Sequence, residues 1–147
     1  MILPHTVTVY NVVKETDATT FTETTTNYMT VLSNVLLDAS KGANVRQSGL
    51  VSADAVTLYI PINVTAVDAV TGNAKTYVEP MEFWAAEDKT DKWTLSTDKN
   101  TFFVKGNVVE AGKSVEYISM KHSGVYDVSK VDEKDFGGLA HWEVGGV

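Results

Sequence analysis

At 147 residues, with 44% hydrophobic and 21% charged residues, the chain has the make-up of one globular domain. A domain of that size buries a core without metal or disulfide support. A net charge of −7 excludes broad coating of nucleic acid, which needs a dense cationic surface. The absence of cysteine excludes disulfides, thiolate catalysis and cysteine-ligated zinc. The opening Met1-Ile2-Leu3-Pro4-His5 has neither the basic nor the apolar region of a signal peptide. No apolar run approaches the roughly 20 residues that span a bilayer. A soluble protein made in the cytoplasm, with no membrane partner, is the expectation.

His5 to Val13 alternates, with Val7, Val9 and Asn11 on one side and Thr6, Thr8 and Tyr10 on the other. Period two predicts a half-buried strand. A turn at Glu15-Thr16-Asp17 leads to the Thr-rich Thr19–Asn27, a polar, exposed strand by its β-branched content. Tyr28 to Leu37 is more apolar. It reads as a further strand, with a short helix as the alternative, because Thr30, Val31 and Val35 are poor helix formers. From Ala39 to Asp54, Gly42, Gly49, three serines, Asn44 and Gln47 interrupt every periodicity, which predicts a long flexible loop.

Ala55 to Val64 is the clearest strand, with Val56, Leu58, Ile60 and Ile62 on one face and Pro61 marking an edge or bulge. Val70-Thr71-Gly72-Asn73-Ala74 signals a turn, from which Ala74–Val78 returns as a hairpin strand. Pro80 to Glu87 puts proline at a first helical position before good helix formers, so one short helix is predicted near Met81–Ala86. Strands are then predicted at Lys92–Ser96, Thr101–Lys105, Ser114–Met120, Val125–Val131 and Ala140–Val144, the last after a turn at Phe136-Gly137-Gly138. The sum is a single all-β domain, mainly antiparallel, folded as a small sandwich or barrel with long loops.

Few residues invite chemistry. His5, His122 and His141 lie far apart, in no metal-ligand spacing, and read as surface histidines. Asp132-Glu133-Lys134-Asp135 fails as a calcium loop because lysine holds the third position and no glutamate closes a loop of twelve; an acidic turn is the plainer reading. Glu79 with Glu82, and Asp88 with Asp91, are carboxylate pairs where surface charge is expected. No nucleophile elbow, phosphate loop or dinucleotide fingerprint is present. Trp84, Trp93, Phe103 and Trp142 form either an aromatic core or an exposed stacking platform, and core is the commoner fate of such side chains. The reading is of a protein that is not an enzyme and holds no cofactor.

The loop at 39–54 carries Lys41 and Arg46, the single arginine, and holds no acid between Asp38 and Asp54. In a chain of net charge −7 this is a local positive island.

The order of these features resembles a known family. His5-Thr6-Val7-Thr8-Val9-Tyr10, a Thr-rich return, an apolar strand, a Gly-containing loop and Val56-Thr57-Leu58-Tyr59-Ile60-Pro61 are similar to the small head-completion or head-closure (stopper) proteins of siphophages. Asp38-Ala39-Ser40-Lys41-Gly42, Thr57-Leu58-Tyr59-Ile60-Pro61 and His141-Trp142-Glu143-Val144-Gly145-Gly146 also resemble segments of minor structural proteins from prophages of Gram-positive bacteria. The resemblance implies a virion protein of the head–tail junction. It forms a homo-oligomeric ring between the portal or its adaptor and the tail-completion proteins. It also implies a DNA-facing or gating loop around Lys41, Gly42, Arg46 and Gly49; an ordinary flexible surface loop is the plain alternative. A capsid-decoration or tail-associated glycan-binding module, and a tail terminator or tube subunit, are the competing readings.

Overall fold

A computed structural model of the chain describes residues 3–39, 56–97, 101–110, 112–134 and 140–147. The positive island of 39–54, apart from Ala39, therefore lies outside the described residues. The strands are β1 (His5–Thr16), β2 (Glu23–Ala39), β3 (Val56–Pro61), β4 (Thr65–Asp68), β5 (Thr76–Tyr77), β6 (Lys92–Trp93), β7 (Thr101–Lys105), β8 (Val125–Lys134) and β9 (His141–Gly146). Helix α1 (Pro80–Ala85) precedes β6, and α2 (Val115–Lys121) precedes β8.

The main sheet runs β1-β7-β8-β9-β3-β2, and β2 pairs back onto β1, so it closes on itself as an antiparallel barrel. Strand β4 adds to β2 on the edge opposite β1, since Thr30–Ser33 pair with both. Closure leaves no open edge around the ring. The fold is mostly antiparallel β, as the alternating patterns predict.

Alternation sorts the side chains of the wall. β3 and β9 alternate strictly, sending Val56, Leu58 and Ile60, and Trp142 and Val144, inward. They meet Val7, Val9, Leu32, Val35 and Phe103 in the main core. Gly146 is the inward position with no side chain. A Cβ there would come within 2.8 Å of the Phe103 ring, 2.9 Å of Tyr126 Cβ and 2.9 Å of Val56 Cγ2. All three neighbours are buried, so none can retreat to solvent.

Strand β2 stays continuous by means of a bulge. Thr6 faces Ser33 and His5 faces Val35, so Asn34 has no opposite number. Its φ of +61° is a left-handed value that asparagine tolerates better than most residues. The extra residue changes the phase of the strand and lets both Leu32 and Val35 point into the core. The Thr-rich and apolar stretches, expected as two strands, are thus one strand of 17 residues.

The expectation that β1 is half-buried is corrected: Val7 to Asn11 are all buried, on both faces. A second cluster of Tyr10, Met29, Phe102, Val104 and Ile118 covers the outside of the wall, with Ile118 supplied by α2. Residues 106–110 lie along β1 and are held by side-chain hydroxyls. Thr8 Oγ1 donates to Gly106 O at 2.7 Å and accepts from Val108 N at 3.0 Å. Tyr10 Oη donates to Val108 O at 2.7 Å and accepts from Glu110 N at 3.1 Å.

Three further expectations are corrected. Ser114–Met120 is helical: Ser114 caps α2 by accepting from Tyr117 N at 3.2 Å, and Val115 and Ile118 recur at helical spacing on the covered side. Ala74–Val78 contributes a single antiparallel bridge, Val67 with Ala74, and then Thr76–Tyr77 pairs in parallel with β6. Asp132–Lys134 is no turn but the end of β8, paired with β9. Helix α1 forms where proline predicts it. β4, which had no clear sequence signal, is held by the buried Lys75. Its ammonium donates to Met29 O at 3.2 Å and Thr30 Oγ1 at 3.1 Å, and pairs with Asp68 at 3.3 Å.

Two outcomes follow from this packing. Gly146→Ala should lower stability by about 1–3 kcal/mol through overpacking, read from urea unfolding; an unchanged midpoint would mean the β9 end is loose. Burial, assisted by the charge of Glu110 and opposed by the bond from its amide, pushes the Tyr10 hydroxyl from 10.0 up to about 12. The folded state then keeps a proton that the unfolded state loses. The stabilisation is present below pH 10 and fades as pH climbs toward 12. Tyr10→Phe should flatten that alkaline decline in urea midpoints, with the remaining slope shared by Tyr77, which burial also raises to about 12.

Candidate interaction surfaces

The residues singled out from sequence fall into separate places. Trp93 and Trp142 meet in the core, their ring centroids 5.9 Å apart, and Tyr77 packs against both at 5.1 and 4.5 Å. Phe103 is fully buried against Tyr126. Trp84 is half-buried beside Phe83, apart from that group, and its indole N–H has no hydrogen-bond partner. These side chains do not make one platform. Lys41, Gly42, Arg46 and Gly49 lie outside the described residues.

The histidines are also dispersed. His5 Nδ1 accepts from Leu37 N at 2.9 Å, which ties the start of β1 to β2. His122 sits 3.2 Å from Glu110, and His141 sits 3.3 Å from Glu143. Among the described residues no three potential metal ligands cluster. Glu79 and Glu82 flank the start of α1, while Asp88 caps Thr90 and Asp91 pairs with Lys92. Neither pair lines a described cavity.

Two features remain. The first, formed where β1 and β2 run on past the barrel, is a ribbon whose second strand is the exposed Thr-rich strand expected from the sequence. Val12–Thr16 pair with Asn27–Glu23, and residues 14–24 are exposed without interruption. Local bonds close its tip. Asp17 N donates to Thr22 O at 2.9 Å, Phe21 N donates to Asp17 O at 2.7 Å, and the Asp17 carboxylate accepts from Thr19 N at 2.7 Å. The bond from the Thr19 amide, joined by that from Thr20, holds the Asp17 carboxyl below its ordinary range. Phe21 crowns the tip, 82% exposed, at φ +56°. A bulky side chain in the left-handed region is strained, and such strain concentrates at functional positions.

The second feature is a depression of about 600 Å³ on the outer wall. It lies at the Asn34 bulge, and outward residues of β2 and β3 are among its walls. Leu3, Leu36, Tyr59, Pro61 and Val64 give it an apolar lining, and Ser33, Asn34 and His141 are among its polar groups. None of its lining residues is a carboxylate. Asn63 and Thr65 complete a polar side opposite the apolar one, an arrangement that can orient a bound group.

Residues 2–147 match the family model described as Family of unknown function (DUF6751). No curated protein and no solved structure matches the chain. No helix among the described residues is long and apolar enough to cross a membrane.

If the aromatic residues serve packing and not ligand stacking, Trp93→Ala should cost about 3–5 kcal/mol in urea unfolding. A loss below about 1 kcal/mol would mean the ring is accessible and would return the stacking platform to consideration. With the match covering all but the first residue, the chain belongs to the Family of unknown function (DUF6751).

Proposed function

We propose that the chain is a structural subunit of the head–tail junction of a tailed phage, not an enzyme, and that it assembles as a ring between portal-side and tail-side proteins. The observation that carries this reading is the division of labour among its side chains. The aromatic rings of Trp93, Phe103 and Trp142 lie in the core, whereas a Thr-rich ribbon with an exposed phenylalanine projects from the barrel. An exposed phenylalanine on a projecting ribbon supports an assembly surface, where aromatic residues are enriched. The resemblance of the strand order to head-completion proteins agrees with it. A glycan-binding module draws no support from tryptophans placed in the core, and the carboxylate pairs line no described cavity.

In this reading the closed barrel is the rigid body of each subunit, and the virion is its final location. The test is a phage that encodes this chain, with the gene deleted. Lysates should contain DNA-filled heads that lack tails, alongside free tails, and expression of the chain in trans should restore whole virions. Normal virions without the chain would sink the reading.

A further inference from the structure

We infer that the chain pairs with a second copy of itself along the open edge of β2 in the ribbon, residues 23–27 of one copy running antiparallel to residues 23–27 of the other. The contact closes on itself at two copies, so it is separate from any ring contact and goes beyond the proposed function.

The barrel closes its edges, but the ribbon does not. Among the described residues, 23–27 pair with β1 alone. Thr22 O accepts from Asp17 N at 2.9 Å, on the β1 side, whereas Met29 O accepts from Ala69 N at 3.1 Å, on the other side. Antiparallel ladders alternate, and these two bonds fix the phase. Glu23, Thr25 and Asn27 turn their N–H and C=O groups away from β1, toward the open edge. Such edges are normally blunted by lysine or proline, and the run Glu-Thr-Thr-Thr-Asn holds neither. The edge is anchored at its barrel end, where Asn27 Nδ2 donates to Glu110 O at 3.1 Å and to Lys113 O at 2.8 Å.

Charge selects this edge and a second copy of it as its partner. About a two-fold axis at Thr25, Thr25 faces Thr25, Thr24 faces Thr26, and Glu23 faces Asn27. No like charges are opposed, and threonine meets threonine, a favourable cross-strand pair. The open edge of β1 fails the same test. Two-fold pairing there sets Lys14 on Lys14 or Glu15 on Glu15, and a further shift runs into β7, which pairs with β1 up to Asn11. Lys14, Glu23, Lys113 and Glu116 line the cleft on the joined face, two charges of each sign, so that face is neutral. The two-fold axis also places the barrels at opposite ends of the joined ribbons, clear of one another.

The same register brings two exposed apolar side chains together. Beyond Asn27 the edge of β2 is taken by Ala69, so the second copy's strand stops there. Its Phe21, two residues from its Glu23, then meets the turn that begins at Ala69. Phe21 is 82% exposed, and Val70 in that turn is 68% exposed. Asp68, at the base of the turn, is already paired with Lys75, which limits its repulsion of the tip's Asp17. The product is a four-stranded antiparallel sheet in the order β1-β2-β2-β1, in place of a two-stranded ribbon that is marginal in water by itself.

Sedimentation equilibrium on the full chain should show a monomer–dimer equilibrium. Thr25→Pro removes the two bonds nearest the axis, while the N–H it deletes takes no part in the β1 ladder. Dimerisation should therefore weaken by about tenfold or more, with the urea midpoint nearly unchanged. The absence of cysteine offers a second measurement that does not depend on how the proline is tolerated. Thr24 and Thr26 are both exposed and face each other across the contact as a closely spaced pair. Chains carrying Thr24→Cys, mixed with chains carrying Thr26→Cys and oxidised, should link to each other faster than either links to itself. A native chain that stays monomeric, a Thr25→Pro chain that dimerises like the native one, or cysteines that link only like to like would each overturn the contact. Each would leave the head–tail reading untouched, since the gene deletion decides that reading on its own.

Discussion

Strand β2 must serve three neighbours, and the single residue that allows it is Asn34. Along its first part β2 pairs with β1, and Thr30–Ser33 also pair with β4; from Leu36 it pairs with β3. A regular strand in that register would turn either Leu32 or Val35 out of the core, because side chains alternate with period two. The unpaired, left-handed Asn34 absorbs the mismatch, and both stay inside. Closure of the barrel depends on that step, since β2 links β1 on one side of the ring to β3 on the other. Asn34 also lines the depression on the outer wall, so one residue belongs to both the topology and the candidate surface.

A second constraint follows from closure. A ring of six strands has little interior, and here it is filled to the point where Gly146 admits no Cβ. The remaining apolar side chains of β1, β2 and β7 have to be covered from outside, by α2 and the segment 106–110. Tyr10 shows how tightly that is done: its ring stacks on Phe102 at 4.6 Å, and its hydroxyl bonds twice to the covering segment. What stays uncovered is the part of β1 and β2 beyond this packing. Its threonines suit an exposed strand, and an isolated two-stranded ribbon is otherwise marginal in water. Asp17 and the bonds around the tip hold the turn where packing does not.

Legibility in the sequence tracked how local the deciding interaction was. The strict alternation of Val56, Leu58 and Ile60 announced β3, and Pro80 announced α1, because burial of one face and a fixed φ are written in adjacent residues. Ser114–Met120 misled because Val115 and Tyr117 alternate as a strand would. The spacing of Val115 to Ile118 and the Ser114 cap carried the truer signal. Continuity of β2 was hidden at Asn34, whose neighbours gave no reason to expect a left-handed residue inside an apolar stretch. β4 depends on an ion pair and two hydrogen bonds of Lys75, contacts between residues up to 46 positions apart. Of the candidate surfaces, the depression could not be read at all, since it joins Leu3, Asn34, Tyr59 and His141 from four parts of the chain. Phe21 was visible only as an apolar interruption in a polar strand.

The placement of these parts bears on the kind of work the molecule does. Three buried polar side chains hold distant parts of the chain together: Asn11 bonds Thr94, Asn27 bonds the segment before α2, and Lys75 holds β4. What they leave exposed is the β1–β2 ribbon, with Phe21 at φ +56° on its tip, and, at the other end of the same two strands, the depression that Asn34 helps to line. Because β1 and β2 pair along the whole of β1 except at the bulge, the placing of these two features relative to one another follows from the register of that pair.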